Sequence, residues 1–185
     1  MSRKPLITAL AFGSATLAGG ASLDFDPAQY SEKTATVNGE TITYRAYENI
    51  PYVANPVDAT HQTINIYIPT AYYNGGSING YTAATAPIYL PNQIGGYMPA
   101  SAGVPGASGF GPKKEGADAM QTALAKGYIV ASPGARGRTS ANGKAPAAII
   151  DLKAAVRYLK HNDANMAGDA GKIISNGTSA GGALS

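Results

Sequence analysis

The residues best suited to chemistry lie near the end of the chain, where glycines surround a serine. Gly177, Ser179 and Gly181 fit the pattern G-x-S-x-G, and they directly follow an apolar run at residues 172–175. In a sharp turn from strand to helix, such a serine is strained and its hydroxyl is exposed, while the glycines prevent collisions between strand and helix. The pattern therefore predicts that Ser179 is a nucleophile at the start of a helix, whose dipole favours developing negative charge. An ordinary glycine-rich turn is the alternative interpretation.

A glycine pair follows an earlier apolar run. Residues 88–90 form that run, and Gly95 and Gly96 lie in the segment after it. A sharp strand-to-helix turn that carries a nucleophilic serine is called a nucleophile elbow. In proteins with such an elbow, one backbone N–H of the oxyanion hole comes from a loop after an earlier parallel strand, and the other from the residue after the serine. We therefore predict that the amides of Gly96 and Ala180 are the oxyanion donors. A plain turn is again the alternative.

A serine nucleophile also requires a base and an acid that orients the base. The chain has two histidines, His61 and His161, and we interpret both as solvated residues at the ends of elements. In enzymes with this elbow, the acid and the histidine follow the serine along the chain, but only residues 180–185 do so here. We therefore expect the N-terminal part of a longer protein, with the catalytic Asp and His beyond Ser185, and expect this part alone to be inactive and poorly stable.

The composition excludes several other kinds of chemistry. The chain has no cysteine, which excludes a disulfide scaffold, an iron–sulfur cluster, a thiolate zinc site and a cysteine nucleophile. The residues therefore indicate no metal and no cofactor. The segment Gly143-Lys144-Ala145 does not form a phosphate-binding loop, because alanine stands where that motif has Ser or Thr.

The N-terminus has the pattern of a secretory signal peptide. Arg3 and Lys4 precede an apolar stretch of small residues, and this stretch is too short for a confident transmembrane helix. We predict that residues 1–21 are removed and that the protein is secreted or periplasmic. The remaining chain carries 12 basic and 11 acidic residues, so its charge favours neither nucleic acid nor a membrane as a partner.

The elements that must position Ser179 follow from the hydrophobic pattern. Asn38-Gly39 predicts a hairpin turn within residues 34–44. The alternating isoleucines of residues 62–68 predict a strand with one buried face. Three continuous apolar runs, at residues 88–90, 128–131 and 172–175, predict parallel strands covered on both faces.

Helices are predicted between these runs, at residues 117–126 and at about 146–161. Ile149, Leu152, Val156 and Leu159 recur at three- and four-residue steps, which predicts one apolar helix face. The result is an α/β protein whose mixed sheet is antiparallel at its N-terminal edge and parallel thereafter, with flanking helices.

From about residue 22 onward, the chain resembles the bacterial tannases (tannin acyl hydrolases), a branch of the α/β-hydrolases close to feruloyl esterases. The motifs that carry the resemblance are Asn55-Pro56-Val57, residues 65–69, Asn79-Gly80-Tyr81, residues 84–88, Pro91-Asn92 with Gly95-Gly96-Tyr97, residues 136–139, residues 151–158, Gly168-Asp169-Ala170 and the elbow. The resemblance implies that residues 22–185 are the N-terminal part of an α/β-hydrolase catalytic domain. It also implies an acyl-enzyme at Ser179, oxyanion donors at Gly96 and Ala180, and a small-molecule ester of the gallate or a related aryl type as substrate.

Other functions stay open at this point. The protein could be a general carboxylesterase, a feruloyl esterase or a non-catalytic binding module on the same fold. Arg136 and Arg138 could contact an acidic substrate, although a structural role in an exposed loop is the preferred interpretation. The sequence leaves the oligomeric state open.

Overall fold

A six-stranded mixed sheet organises the chain in this computed structural model, which describes residues 20, 22–107 and 116–185. The signal peptide predicted at residues 1–21 thus lies outside the described residues, apart from Gly20. The strands are β1 (Ser31–Val37), β2 (Glu40–Pro51), β3 (Thr63–Pro69), β4 (Pro87–Pro91), β5 (Ile129–Pro133) and β6 (Asp169–Asn176). The helices are α1 (Ala119–Ala125), α2 (Ala147–His161) and α3 (Ala180–Ala183), with a 3-10 helix at Thr70–Asn74.

The strand order is β1-β2-β3-β5-β4-β6. The pairs β1–β2, β2–β3 and β3–β5 are antiparallel, whereas β4 is parallel to both β5 and β6. This confirms the predicted mixed sheet and its antiparallel N-terminal edge. Since α1 and α2 connect the parallel strands, the carboxyl ends of β4, β5 and β6 share one edge of the sheet, where ligands bind in open α/β sheets.

Local sequence decides the first hairpin. Asn38 and Gly39 have φ values of 52° and 84°, as a two-residue turn between antiparallel strands requires. Val37 pairs with Glu40 across the turn, so the hairpin lies where the Asn-Gly pair predicts it.

The prediction of one buried face for β3 is wrong, because every residue of that strand is buried. Ile64, Ile66 and Ile68 pack in the larger core cluster, while Tyr67 packs on the opposite face with residues of α1 and β5. Asn65 is buried because its side-chain amide donates to the carbonyl of Gly103, over 3.1 Å. Helices and loops therefore cover both faces of this strand.

Helix α2 shows a different buried face from the predicted one. Leu152 and Leu159 are buried as expected, but Ile149 is 44% exposed. Asp151 is buried instead, with 1% exposure. The carboxylate can lie against the sheet because Arg136 neutralises it through two side-chain hydrogen bonds.

Helix α1 is shorter than the predicted helix at residues 117–126. Asp118 is its N-cap and forms a capping box with Gln121, while Lys126 is its C-cap. Gly127 follows with φ of 87°, a conformation that glycine adopts without strain. Among the described helices, none is long and apolar enough to cross a lipid bilayer.

Candidate active site at the carboxyl edge of the sheet

The turn between β6 and α3 places Ser179 at the carboxyl edge of the sheet. β6 ends at Asn176 and α3 begins at Ala180, so three residues connect strand and helix. Ser179 has φ of 56° and ψ of −121° and is exposed. A residue other than glycine in this region stores about 1–3 kcal/mol of strain. The turn thus has the sharp geometry that the G-x-S-x-G pattern predicts.

The glycines beside Ser179 are required by close backbone contacts. A Cβ atom on Gly177 would lie 2.3 Å from the carbonyl carbon and oxygen of Gly181. A Cβ atom on Gly181 would lie 2.5 Å from Oδ1 of Asn92 and 2.8 Å from the carbonyl oxygen of Ile94. The turn can therefore close only if both positions lack a side chain.

Ser179 borders a cavity of about 510 Å³. The wall is built from the end of β4 and its following loop, the start of α1, and the elbow. It is formed by Tyr89, residues 91–95, Ala107, Asp118, Ala119, Met120 and residues 176–179. A small molecule in this cavity would lie against the serine.

Comparison with protein-family models extends the resemblance seen in the motifs. The model named BD-FAE matches residues 87–185, from β4 to the elbow and α3. The chain belongs to the BD-FAE family. This family is feruloyl-esterase-like and has the α/β-hydrolase fold, which confirms the predicted fold class.

Solved structures of bacterial tannases are similar to this BD-FAE chain. The tannase of Fusobacterium nucleatum is 55% identical, with a TM-score of 0.83 over 88% of this chain and 34% of that one. The native tannin acyl hydrolase of Lactobacillus plantarum is 45% identical, with a TM-score of 0.80 over 88% and 36%. A tannin acyl hydrolase in complex with ethyl gallate is 45% identical, with a TM-score of 0.81 over the same shares.

These structures confirm the resemblance to bacterial tannases. The chain spans about a third of the length of the tannases it matches. A search of curated proteins found no match.

Of the two predicted oxyanion donors, Ala180 directly follows Ser179 and Gly96 lies in the loop after β4, and their role stays a prediction. Ala180 is buried and packs with Ile94 and Leu152. Gly96 is exposed, with φ of 58°. Its neighbour Gly95, rather than Gly96 itself, borders the cavity.

Asn92 was named in the sequence analysis only as part of a motif shared with tannases, with no role in the site. Its side-chain amide donates toward the carbonyl oxygens of Asn176 and Gly181 and toward Oγ of Ser185, each over 3.1 Å. Its Oδ1 accepts from the backbone N–H of Ile94 over 3.3 Å. The signal that the sequence offered was an amide side chain placed directly after the apolar run of β4.

Two polar side chains of the cavity lining, Tyr89 and Asp118, are held by hydrogen bonds. The hydroxyl of Tyr89 donates to Oδ1 of Asn176 over 3.0 Å. Burial, and then the nearby Asp118, raise the pKa of Tyr89, so the phenol stays protonated. The Asp118 carboxylate accepts from the backbone amides of Gly106 and Gln121, over 2.6 and 2.7 Å, so its main contacts are structural.

Neither histidine borders the Ser179 cavity. His61 lies before β3, which β5 and β4 separate from β6. Its Nδ1 lies 2.8 Å from Oδ2 of Asp58, and its side chain is 24% exposed, so it lies at the end of an element as predicted but is half-buried rather than fully solvated. His161 is exposed, as expected, and its Nε2 lies 3.3 Å from Oδ1 of Asp24.

The pair of His61 and Asp58 has a visible electrostatic effect. Burial alone would raise the pKa of Asp58, but hydrogen bonds from the side chain and backbone of His61 outweigh it and lower that pKa. The pair is therefore engaged locally in the turn before β3 and away from the serine.

Arg136 has the structural role that the sequence analysis preferred. Its Nε and Nη2 donate to the two carboxylate oxygens of Asp151 over 2.9 and 2.8 Å, and its Nη1 donates to the carbonyl of Asn142 over 2.9 Å. The hydrogen bonds with Asp151 raise the pKa of Arg136. The described residues contain no group of three or more His, Cys, Asp or Glu side chains that could hold a metal ion.

Proposed function

We propose that the chain contributes the nucleophile and the oxyanion loop (the segment after β4 that carries Gly95 and Gly96) of a serine carboxylic ester hydrolase, with Ser179 forming the acyl-enzyme. The observation that carries the proposal is the exposed Ser179 in its positive-φ turn, at the border of the 510 Å³ cavity. A strained, exposed serine at a strand-to-helix turn is the arrangement that nucleophilic ester hydrolysis uses.

The proposed reaction has two steps. Ser179 Oγ attacks the ester carbonyl carbon, its proton passes through a general base to the leaving alcohol, and an acyl-serine ester remains. Water then attacks that ester, releases the carboxylic acid and returns the proton to the serine. The amides of Gly96 and Ala180 would donate to the carbonyl oxygen as it gains negative charge. Since neither histidine borders the cavity, the proposal takes the base and its acid from residues after Ser185, as the tannase resemblance implies.

We propose gallate-type or related aryl esters as substrates. Support comes from the tannases at 44–55% identity, one of them solved with ethyl gallate and another with 3,4-dihydroxybenzoate. In this chain, Tyr89 and Met120 offer apolar surface to an aryl ring, while Gln93 and Asn176 offer amides to its hydroxyls. Turnover of gallate, ferulate and short acyl esters by the full-length protein separates the three kinds of esterase.

The test of the nucleophile compares two serines on the same segment. In the full-length protein, a fluorophosphonate should form an adduct at Ser179, and Ser179→Ala should abolish both the adduct and ester turnover. Ser175, which is exposed on β6, provides the matched control, since Ser175→Ala should keep both. Turnover that survives Ser179→Ala would contradict the proposal. Binding of an aryl ester without any turnover by the unaltered protein would favour a binding module.

We also propose that residues 1–21 direct export, so that the protein is secreted or periplasmic. The support is the basic start and short apolar run of the leader. Mass spectrometry of the mature N-terminus after expression in a bacterium tests this, and an intact Met1 on the exported protein would contradict it.

A further inference from the structure

We propose that Asn92 is a positioning residue that holds the nucleophile elbow and the oxyanion loop in register. The inference rests on the proposed ester hydrolase function, which it deepens by naming a residue that sets the geometry of the reacting groups. Asn92 itself need not touch the substrate, because it acts through the segments to which it is hydrogen-bonded.

The contacts of Asn92 reach both sides of Ser179. Its amide nitrogen lies 3.1 Å from the carbonyl oxygen of Asn176, the last residue of β6. The same nitrogen lies 3.1 Å from the carbonyl oxygen of Gly181 in α3. The backbone N–H of Asn92 also donates to the Asn176 carbonyl over 2.9 Å. One residue thus ties the strand before the serine to the helix after it.

The opposite end of the same side chain holds the oxyanion loop. Oδ1 of Asn92 accepts from the backbone N–H of Ile94 over 3.3 Å, and Gly95 and Gly96 follow immediately. Since oxyanion stabilisation depends on donors placed about 2.7–3.1 Å from the developing charge, the loop and the elbow must keep a constant separation. The Asn92 side chain spans that separation.

The chemistry of the site favours an amide over other side chains. The three atoms near the Asn92 nitrogen are oxygens, and Oγ of Ser185 donates its own proton to the Gly181 carbonyl. A carboxylate in place of the amide would bring negative charge against these oxygens and would offer them no proton. Asn92 is 6% exposed, so water does not compensate such a loss freely.

The elbow glycines leave the space that Asn92 occupies. A Cβ atom on Gly177 would lie 2.6 Å from the Asn92 amide nitrogen, and one on Gly181 would lie 2.5 Å from its Oδ1. The glycines of the G-x-S-x-G pattern therefore serve the contact with Asn92 as well as the turn itself. This packing leaves the side chain little freedom to rearrange.

Asn162 provides a matched control in the same chain. Like Asn92, it is a buried asparagine, with 0% exposure. Its side chain accepts from the N–H of Phe25 and donates to the carbonyls of Leu23 and Tyr158, over 2.8–3.0 Å. These bonds join the end of α2 to the N-terminal segment and do not involve the elbow. Replacing Asn162 thus removes comparable buried hydrogen bonds without moving Ser179.

The experiment compares Asn92→Ala, Asn92→Asp and Asn162→Ala in the full-length protein. We measure kcat and KM for an aryl ester, and the rate of fluorophosphonate labelling of Ser179 per folded molecule. Both Asn92 variants should lower kcat at least about 10-fold with little change in KM, since misplacing reacting groups by about 1 Å can cost about 100-fold. Asn162→Ala should lower the melting temperature but leave kcat and the labelling rate per folded molecule unchanged.

Two results would overturn the inference. One is a labelling rate per folded molecule equal to that of the unaltered protein in either Asn92 variant, which would make Asn92 purely structural. The other is an equal loss of kcat in Asn162→Ala, which would show that any buried asparagine has this effect. The proposed function fails by a different result, namely turnover that survives Ser179→Ala.

Discussion

Single atoms decide whether the elbow can form around Ser179. At Gly177, the atoms nearest to an added Cβ would be backbone atoms of Gly181, which cannot rotate away. At Gly182, inside α3, the nearest atom to a Cβ is the carbonyl oxygen of Gly177, 3.1 Å away. Two glycines of the same short segment therefore differ in how strictly they are required.

We predict that Gly177→Ala destabilises the protein by about 1–3 kcal/mol, the usual range for overpacking, and slows fluorophosphonate labelling of Ser179. Gly182→Ala should change stability by less than about 1 kcal/mol, because alanine favours the helix and the neighbouring oxygen needs to move little. Denaturant unfolding and labelling rates measure both effects. Equal effects of the two substitutions would contradict the clash at Gly177.

At the scale of elements, the ion pair of Arg136 and Asp151 joins α2 to the loop after β5. Asp151 also accepts from the Gln62 side chain over 2.9 Å. Beyond Arg136, the backbone N–H of Arg138 donates to the carbonyl of Tyr97 over 2.8 Å, next to Gly96. The Asp151 carboxylate therefore connects α2 to Gln62, just before β3, and to the loop after β5. That loop in turn contacts the loop that carries Gly96 through a backbone hydrogen bond.

We predict that Asp151→Ala destabilises the protein by about 3–5 kcal/mol, because it leaves the partly buried Arg136 charge without its partner. Lys33 and Glu48 form a matched pair on the antiparallel strands, at 2.7 Å but with side chains 36% and 27% exposed. Lys33→Ala should cost no more than about 1 kcal/mol, since solvent screens such a pair. Denaturant unfolding compares the two, and similar losses would refute the role assigned to burial.

At the scale of the whole molecule, the sheet has a hydrophobic core on each face. Two of the buried tyrosines in the larger core differ in the hydrogen bonding of their hydroxyls. Tyr158 of α2 is 2% exposed, and no described group hydrogen-bonds its hydroxyl. Burial raises the pKa of Tyr158 to about 12. Tyr72, whose pKa burial also raises to about 12, donates its hydroxyl to the carbonyl of Gly127.

We predict opposite effects of removing these two hydroxyls at neutral pH. Tyr158→Phe should leave stability equal or higher, whereas Tyr72→Phe should lose about 1 kcal/mol with its hydrogen bond. Each tyrosine ionises near pH 10 when unfolded but near 12 when folded. Between these pH values the folded state keeps a proton that the unfolded state loses, so the free energy of unfolding is unaffected by this group below about pH 10 and falls as the pH rises to about 12.

Both substitutions should accordingly make the loss of stability between pH 10 and 12 less steep. Unfolding followed by circular dichroism across this range measures the slope. An unchanged slope in Tyr158→Phe would show that its hydroxyl ionises equally in both states.

The edge strand β6 has an exposed apolar residue at the same scale. β6 pairs with β4 on one side, and no other described strand pairs with it. Ile174 is 44% exposed there. Such edges favour association with other chains, which agrees with the expectation that residues 1–185 alone are poorly stable. That expectation, and the expected inactivity of these residues, stay predictions.

The sequence by itself determined the features that depend on neighbours along the chain. The Asn38-Gly39 turn, the strands at the three apolar runs and the elbow glycines lie where their local patterns predict them, because φ preferences and hydrophobic periodicity act over a few residues. The position of Ser179 in a sharp turn belongs to this group. The prediction that residues 172–175 are covered on both faces is wrong, because β6 is the edge strand of the described sheet and most of its residues are exposed.

Only the tertiary structure decided which side chains from distant parts of the chain meet, both beside that serine and elsewhere in the molecule. Asn92 and Gly181 are 89 residues apart in the chain, as are Gln62 and Asp151. The buried Asp151 and the second buried face of β3 also differ from the local patterns, because distant partners neutralise or cover them. These residues meet because β5 and β4 lie in reversed order between β3 and β6, and no local pattern encodes a contact that the strand order creates.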